Sequence, residues 1–266
     1  MSLSKLTKQW VAARLPKRPK GANKGTFGKV LVIAGSESYP GAAYLTSAGA
    51  YRVGAGLVTL ATEPNVKIIV SRKLPELTFT SKPSTDYDVL LFGPGLGKNT
   101  SATKFINILP KAVIDGDGLK FFKKRLQEAV LTPHPGEMSR LTGLSVEEIQ
   151  KNREVIAREY ATKWGQVVVL KGANTVIASP TGEVKISPFA NPALATAGTG
   201  DVLSGIIAGL IAQGLEPFDA ACCGVYIHGL AGKMVRKKIG NAGTVASDLL
   251  PFLPKALVHI SKHLNE

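Results

Sequence analysis

The stretch KVLVIAGSESYPGAAYLTSAGAYRVGAGLVTLAT (29–62) holds a complete structural unit. Its first apolar run, KVLVIAGS (29–36), ends on Gly35-Ser36, a helical pattern follows over 42–54, and LVTLAT (57–62) is a second β-branched run. A run that is apolar without alternation suits a strand buried on both faces. Working outward, the same pattern returns in DVLLFGPG (88–95), KAVIDGDG (111–118), AVLTPHPG (129–136) and QVVVLKG (166–172). Between the last two lies SVEEIQKNREVIAREYATKWG (145–165), one helix by its periodicity, opened by Ser145 and Glu148 at capping-box spacing. Strands alternating with helices predict a mostly parallel sheet with helices on both faces.

The pattern changes beyond residue 172. TVIASPTGEVKIS (175–187) reads as a hairpin about Pro-Thr-Gly, and helical segments follow at about 200–214, 217–238 and 245–263. At 266 residues the chain is long enough for one sizeable core. The reading is therefore one three-layer α/β domain over 24–266, preceded by a basic arm or helix over 1–23. No internal repeat or low-complexity segment interrupts it.

The formal charge is +14, and residues 1–29 carry eight Lys and Arg with no Asp or Glu, so the excess is concentrated in a solvated arm. No nucleic-acid recognition motif follows that arm, and aromatics at 6% are too few for a base-stacking surface. Nucleic acid is not expected as a partner, and a basic nucleic-acid-binding protein, motivated by this arm, is the rival reading from another class. Cys222 and Cys223 are neighbours within a helical pattern, which disfavours a mutual disulfide and fits a reducing compartment. The N-terminus lacks the apolar core of a secretory signal, and the most apolar run, 202–212, is too short to span a bilayer. A cytoplasmic protein is expected.

In folds of this kind ligands bind beyond the carboxyl ends of the strands. Those ends carry Gly35-Ser36, Gly93-Pro-Gly95-Leu-Gly97, Asp115-Gly-Asp117-Gly118, His134-Pro-Gly-Glu137 and Lys171-Gly172. Gly198-Thr199-Gly200-Asp201 opens the helix at 200–214, where unpaired amides and the positive end of the macrodipole favour a phosphate or oxyanion. By spacing alone Asp201 reads equally as a helix cap. Asp115 and Asp117 read either as local turn formers or as carboxylates for hydrated Mg²⁺. Lys171 reads as a phosphate contact or a solvated lysine. His134, fixed between prolines, reads as a structural hydrogen bonder or a site residue, and Glu137 as a helix-start carboxylate or a contact to metal-bound water.

Taken together, residues 28–62, FGPGLG (92–97), LTPHPGEMSRL (131–141), VVLKGANTVIASP (168–180) and NPALATAGTGDVLSGIIAGLIAQG (191–214) resemble the ADP- or ATP-dependent NAD(P)H-hydrate dehydratases. The resemblance runs from about Lys24 to the C-terminus. It implies a ribokinase-like fold and repair of damaged nicotinamide cofactors, with water removed from hydrated NADH or NADPH at the expense of ATP or ADP, with Mg²⁺.

On the same resemblance, Lys171, Gly172, Ala173, Asn174, Thr175, Asn191, Thr196, Gly198, Thr199 and Gly200 would hold the nucleotide. Ala43, Gly97, His134 and Asp201 would contact the hydrated dinucleotide, with Asp201 as catalytic base; the metal ligands are left unassigned. The resemblance further implies a homo-oligomer, a tetramer, and a separate epimerase as functional partner. Asn23, the Asp-Gly-Asp-Gly turn and Ala193-Leu194 depart from the usual pattern. The rival within the fold is a small-molecule kinase acting on a hydroxymethylpyrimidine, a thiazole alcohol or a sugar.

Overall fold

The structure, a computed structural model, describes residues 4–98, 101–122 and 126–261. In chain order its elements are β1 (Ser4–Lys5), α1 (Lys8–Ala12), β2 (Lys29–Ile33), α2 (Pro40–Arg52), β3 (Leu57–Ala61), α3 (Pro64–Ser71), β4 (Thr78–Phe79) and β5 (Val89–Phe92). Then come β6 (Lys111–Ile114), β7 (Glu128–Leu131), α4 (Pro135–Thr142), α5 (Val146–Lys151), α6 (Arg153–Trp164) and β8 (Val167–Leu170). The chain continues through β9 (Val176–Ala178), β10 (Val184–Ile186), α7 (Thr199–Ala212), α8 (Pro217–Ile239) and α9 (Leu253–Ser261).

The strands form one sheet in the order β1-β10-β9-β8-β7-β6-β5-β2-β3-β4. Neighbours are parallel except where β9 meets β8 and β10, which is the hairpin read from 175–187. Both faces of the parallel strands are covered. Val30, Val32, Val89 and Leu91 pack toward α2, α7 and α8, whereas Leu31, Ile33, Leu90 and Phe92 pack toward the side of α5 and α6. A strand buried on both sides has no polar face to alternate, so its sequence is apolar throughout. This is the expected α/β, three-layer, ribokinase-like arrangement.

Strand order reverses between β2 and β5: β3 and β4 extend one way, β6 to β8 the other. The loops leaving these two strands diverge over the sheet and open a crevice at its carboxyl edge. They are joined at their start, where the Gly35 amide donates to the Pro94 carbonyl at 2.8 Å.

Three expectations need correction. The helix expected over 145–165 is two, α5 and α6, broken at Asn152, whose φ of −124° and ψ of 35° lie outside the helical range. Ser145 does cap the first, accepting the Glu148 amide at 3.1 Å. The helix expected over 245–263 is a 3-10 segment, Ala246–Phe252, leading into α9, with Pro251 removing a helical donor; residues 262 and 263 lie outside the described residues. The N-terminal arm is only partly solvated. β1 pairs with β10, and Leu6, Val11 and Ala12 are buried in the core shared with α8 and α9. Its lysines at 5, 17 and 20 remain exposed. Cys222 and Cys223 are free and buried in α8, and burial pushes the Cys223 thiol up to about 12.

Candidate active site

Asp201 lies in the first turn of α7, after Gly198, whose φ of 88° is left-handed and open to glycine at little cost. Val202 donates to the Gly198 carbonyl at 3.1 Å. The amides of Gly200 and Asp201, ahead of that bond, have no helical acceptor and sit at the positive end of the dipole. Thr199 anchors the turn, its hydroxyl donating to the carbonyls of Leu194 and Thr196 at 2.9 Å each. The reading of Asp201 as the side-chain cap does not hold: Gly198 occupies the cap position, and no side-chain cap bond is made.

Beside this turn lies a compact cluster of charges. The Lys171 ammonium, at the end of β8, donates to Asp115 Oδ1 at 2.7 Å and stands 3.7 Å from Glu137 Oε2. Thr132 also donates to Asp115 Oδ1, at 2.7 Å, so this buried carboxylate has two partners. Burial alone would lower the Lys171 pKa, but Asp115 and then Glu137 outweigh it and hold the ammonium above its ordinary value. Lys171 is therefore a buried, paired cation and not a solvated one, with its chain over Gly200. Asp201 has the opposite shift. Burial and the neighbouring Asp115 push its carboxyl up to about 7, against the attraction of Lys171.

Asp115 and Asp117 do not act as a pair. Asp115 turns inward to Thr132 and Lys171, whereas Asp117 accepts the Gly97 amide at 2.7 Å and the Lys120 ammonium at 2.5 Å. His134 caps its own helix: Nδ1 accepts the amides of Gly136 and Glu137, and Glu137 Oε2 returns the bond to the His134 amide at 2.8 Å. The structural reading of His134 therefore holds, and its half-exposed ring also borders the cavity that contains Asp201. Glu137 is likewise a helix-start carboxylate whose other oxygen, Oε1, lies 3.5 Å from the His134 ring.

Two cavities meet at this cluster, and a third opens elsewhere at the carboxyl edge of the sheet. One of about 470 Å³ is bounded by Lys171, Gly172, Ala173, Thr175, Asn191, Thr199 and Gly200, with Phe189, Leu203 and Val225 as its apolar wall. A second, about 400 Å³, holds Asp201, His134, Glu137, Asp115 and Gly198, and shares Lys171, Gly172, Thr199 and Gly200 with the first. The third, about 770 Å³, opens at the β2/β5 reversal between Ser36, Tyr39, Gly97 and Asp117.

Eleven of the expected site residues thus border these spaces. Ala43 does not: it is fully buried, its methyl against the site of Gly35. Asn174 forms a turn with φ of 53° and donates to the Ser187 carbonyl, and Thr196 donates to the Thr244 carbonyl, so both shape loops. Sequence reading marked Ser36 as part of a strand end and missed Tyr39, Phe189 and His228. Tyr39 follows that strand end closely, but Phe189 and His228 reach these cavities only through tertiary packing.

The sequence model of the NAD(P)H-hydrate dehydratase family matches residues 30–255. The chain belongs to this family. It is 36% identical over 264 residues to the ADP-dependent (S)-NAD(P)H-hydrate dehydratase of Bacillus subtilis, an alignment covering 94% of this chain and 96% of the relative. The crystal structure of the ADP/ATP-dependent NAD(P)H-hydrate dehydratase from Bacillus subtilis, co-crystallised with ATP and Mg²⁺, matches with a TM-score of 0.92 and 34% identity, covering 98% of this chain and 99% of that one. A bifunctional NAD(P)H-hydrate repair enzyme from Moorella thermoacetica is 40% identical over 98% of this chain but only 55% of its own length. The chain spans about half the length of this and several other curated relatives it matches. Within the family's match fall all of β2 but Lys29, every strand from β3 to β10 and the α7 turn that carries Asp201.

Proposed function

We propose that this chain uses ADP or ATP to dehydrate hydrated NADH or NADPH, restoring the reduced cofactor. The observation that carries the reading is the position of Asp201, in a cavity that shares Lys171, Gly172, Thr199 and Gly200 with the apolar-walled cavity beside it. The walled cavity suits an adenine nucleotide whose phosphates reach the α7 amides. The dinucleotide hydrate then lies toward Gly97 and His134.

In this arrangement Asp201 accepts the proton of the C6 hydroxyl as that oxygen attacks the terminal phosphoryl group. The Gly200 and Asp201 amides and the Lys171 ammonium offset the charge that accumulates on the phosphoryl oxygens. The phosphate ester so formed loses phosphate, a far better leaving group than hydroxide. The ring nitrogen's lone pair assists departure, and loss of the C5 proton restores the double bond. ATP yields ADP and phosphate; ADP yields AMP and phosphate.

Among the described residues no group of three or more His, Cys, Asp or Glu forms a metal cage. This fits Mg²⁺ that arrives on the nucleotide phosphates and keeps its water, since that ion usually takes only one or two carboxylates from a protein. Glu137 Oε1 is the oxygen suited to a metal-bound water, and the ion would supply further neutralisation of phosphate charge.

No helix among the described residues is long and apolar enough to cross a membrane. A cytoplasmic location, a homotetramer and an epimerase as functional partner complete the proposal; the longer relatives named as bifunctional repair enzymes support a second activity beside this one. Incubating the protein with hydrated NADH and either ATP or ADP tests the central claim. Recovery of absorbance at the reduced-nicotinamide wavelength is expected with at least one nucleotide. A stable phosphorylated product without recovery would replace the reading with a small-molecule kinase.

A further inference from the structure

His228 belongs to α8, is buried, and borders the 470 Å³ cavity. Its Nε2 lies 3.0 Å from the Thr199 carbonyl oxygen. A carbonyl can only accept, so Nε2 carries a hydrogen. Burial, and after it the repulsive charge of Lys171, bring the imidazole pKa down to about 4 against the opposing pull of the Thr199 bond, so the ring is neutral and Nδ1 is its bare nitrogen. The bond reaches the residue directly before Gly200 and Asp201, on a turn already held from its other side by the Thr199 hydroxyl.

The surrounding face of α8 is shaped to bring the ring this close. Side chains at Gly229 and Gly232 would collide with Phe189 and Leu194, two further walls of the same cavity, so the loop at 189–195 rests directly on the helix backbone. His228 is the polar group within this seat, between the cavity wall and the turn that bears the base.

We propose that His228 is a positioning residue, whose Nε2–H donation to the Thr199 carbonyl fixes the first turn of α7 and links occupation of the nucleotide cavity to the placement of Gly200 and Asp201. A nucleotide packed against the imidazole restrains a ring that is hydrogen-bonded to the turn carrying its phosphate donors. The inference rests on the functional reading above for the identity of the nucleotide.

The test compares His228→Leu, which keeps bulk without a donor, with His228→Gln, whose amide reaches about as far as Nε2, and with His228→Asn, which falls short. ADP affinity is measured by calorimetry, and KM and kcat by the dehydratase assay. The Leu and Asn variants are expected to bind ADP about tenfold more weakly and to lose about tenfold in kcat, the scale of one buried hydrogen bond, with the KM for hydrated NADH unchanged. His228→Gln is expected to remain within about threefold of the parent on the same scale.

Equal losses in Gln and Asn, or a folded Leu variant with parental ADP affinity, would overturn the proposal. If Leu does not fold, Asn against Gln decides. Should the parent bind ADP but fail to dehydrate, the functional reading fails, while the ADP titrations still judge His228.

Discussion

At Asp201 the sign of one pKa shift governs both activity and stability. A carboxyl pushed up to about 7 gains its basic form as pH rises through that value, so kcat/KM should climb along an acid limb near pH 7. Asp201→Asn should lower turnover by about 10²- to 10⁴-fold and abolish the limb. Its effect on folding runs the other way. The folded carboxyl titrates above its unfolded counterpart, so the folded state binds more protons between about pH 4 and 7, and stability falls with rising pH across that window. Removing the charge should therefore raise the melting temperature at pH 8, by about 2 °C or more, and leave it nearly unchanged at pH 4. A variant as active as the parent would exclude the base role; one destabilised at pH 8 would mean that the buried carboxylate is better paired than its surroundings indicate. The sequence placed Asp201 at a helix start beside glycines. It could not separate cap from base, because that distinction depends on burial and on Asp115, a residue at the end of β6 and far away in sequence.

At the scale of elements, α7 holds the site because it is buried nearly all round, from Val202 to Ala212, and lies against α2. Small residues permit the approach: a Cβ on Gly205 would overlap the Thr46 carbonyl, and one on Gly49 would stand 2.7 Å from the Val202 carbonyl. Backbone cannot yield as a flexible side chain does, so Gly205→Ala should cost about 1–3 kcal/mol through overpacking. Gly41→Ala, in the first turn of α2 with nothing within 4 Å, is the control and should be neutral or slightly stabilising. Urea unfolding of the two variants checks the pair, and equal stabilities would refute the close crossing. The runs forming β2, β3 and β5 to β8 were legible because their buried residues are apolar and contiguous, with Thr59 the one polar residue inside a run. The break at Asn152 was not, since its charged and apolar residues keep helical spacing across the junction. The 3-10 segment before α9 was marked by Pro251, a signal present in the sequence and outweighed by the apolar periodicity around it.

Across the whole molecule, the N-terminal segment ties the far edge of the sheet to the helices behind it. Its charge invited a reading as a solvated arm, yet a strand of two residues has too little pattern to be recognised, and its place is set by β10. The Leu6 amide donates to the Ile186 carbonyl at 2.9 Å, Arg14 reaches Asp219 on α8 at 3.2 Å, and the Arg14 guanidinium covers the Trp10 ring at 3.7 Å. The half-exposed ion pair adds little, about 1 kcal/mol at most. Buried Leu6 and Val11 matter more, at about 1.5–3 kcal/mol each. Removing residues 1–15 should therefore lower the melting temperature by about 10 °C and, by uncovering β10, promote association through a free strand edge. Thermal unfolding and light scattering of the shortened chain, with Leu6→Asp in the full chain as the point-variant counterpart, measure this. If both kept the parental melting temperature, the segment would be an appendage after all; if the shortened chain alone fell, strand pairing rather than apolar burial would be what secures it.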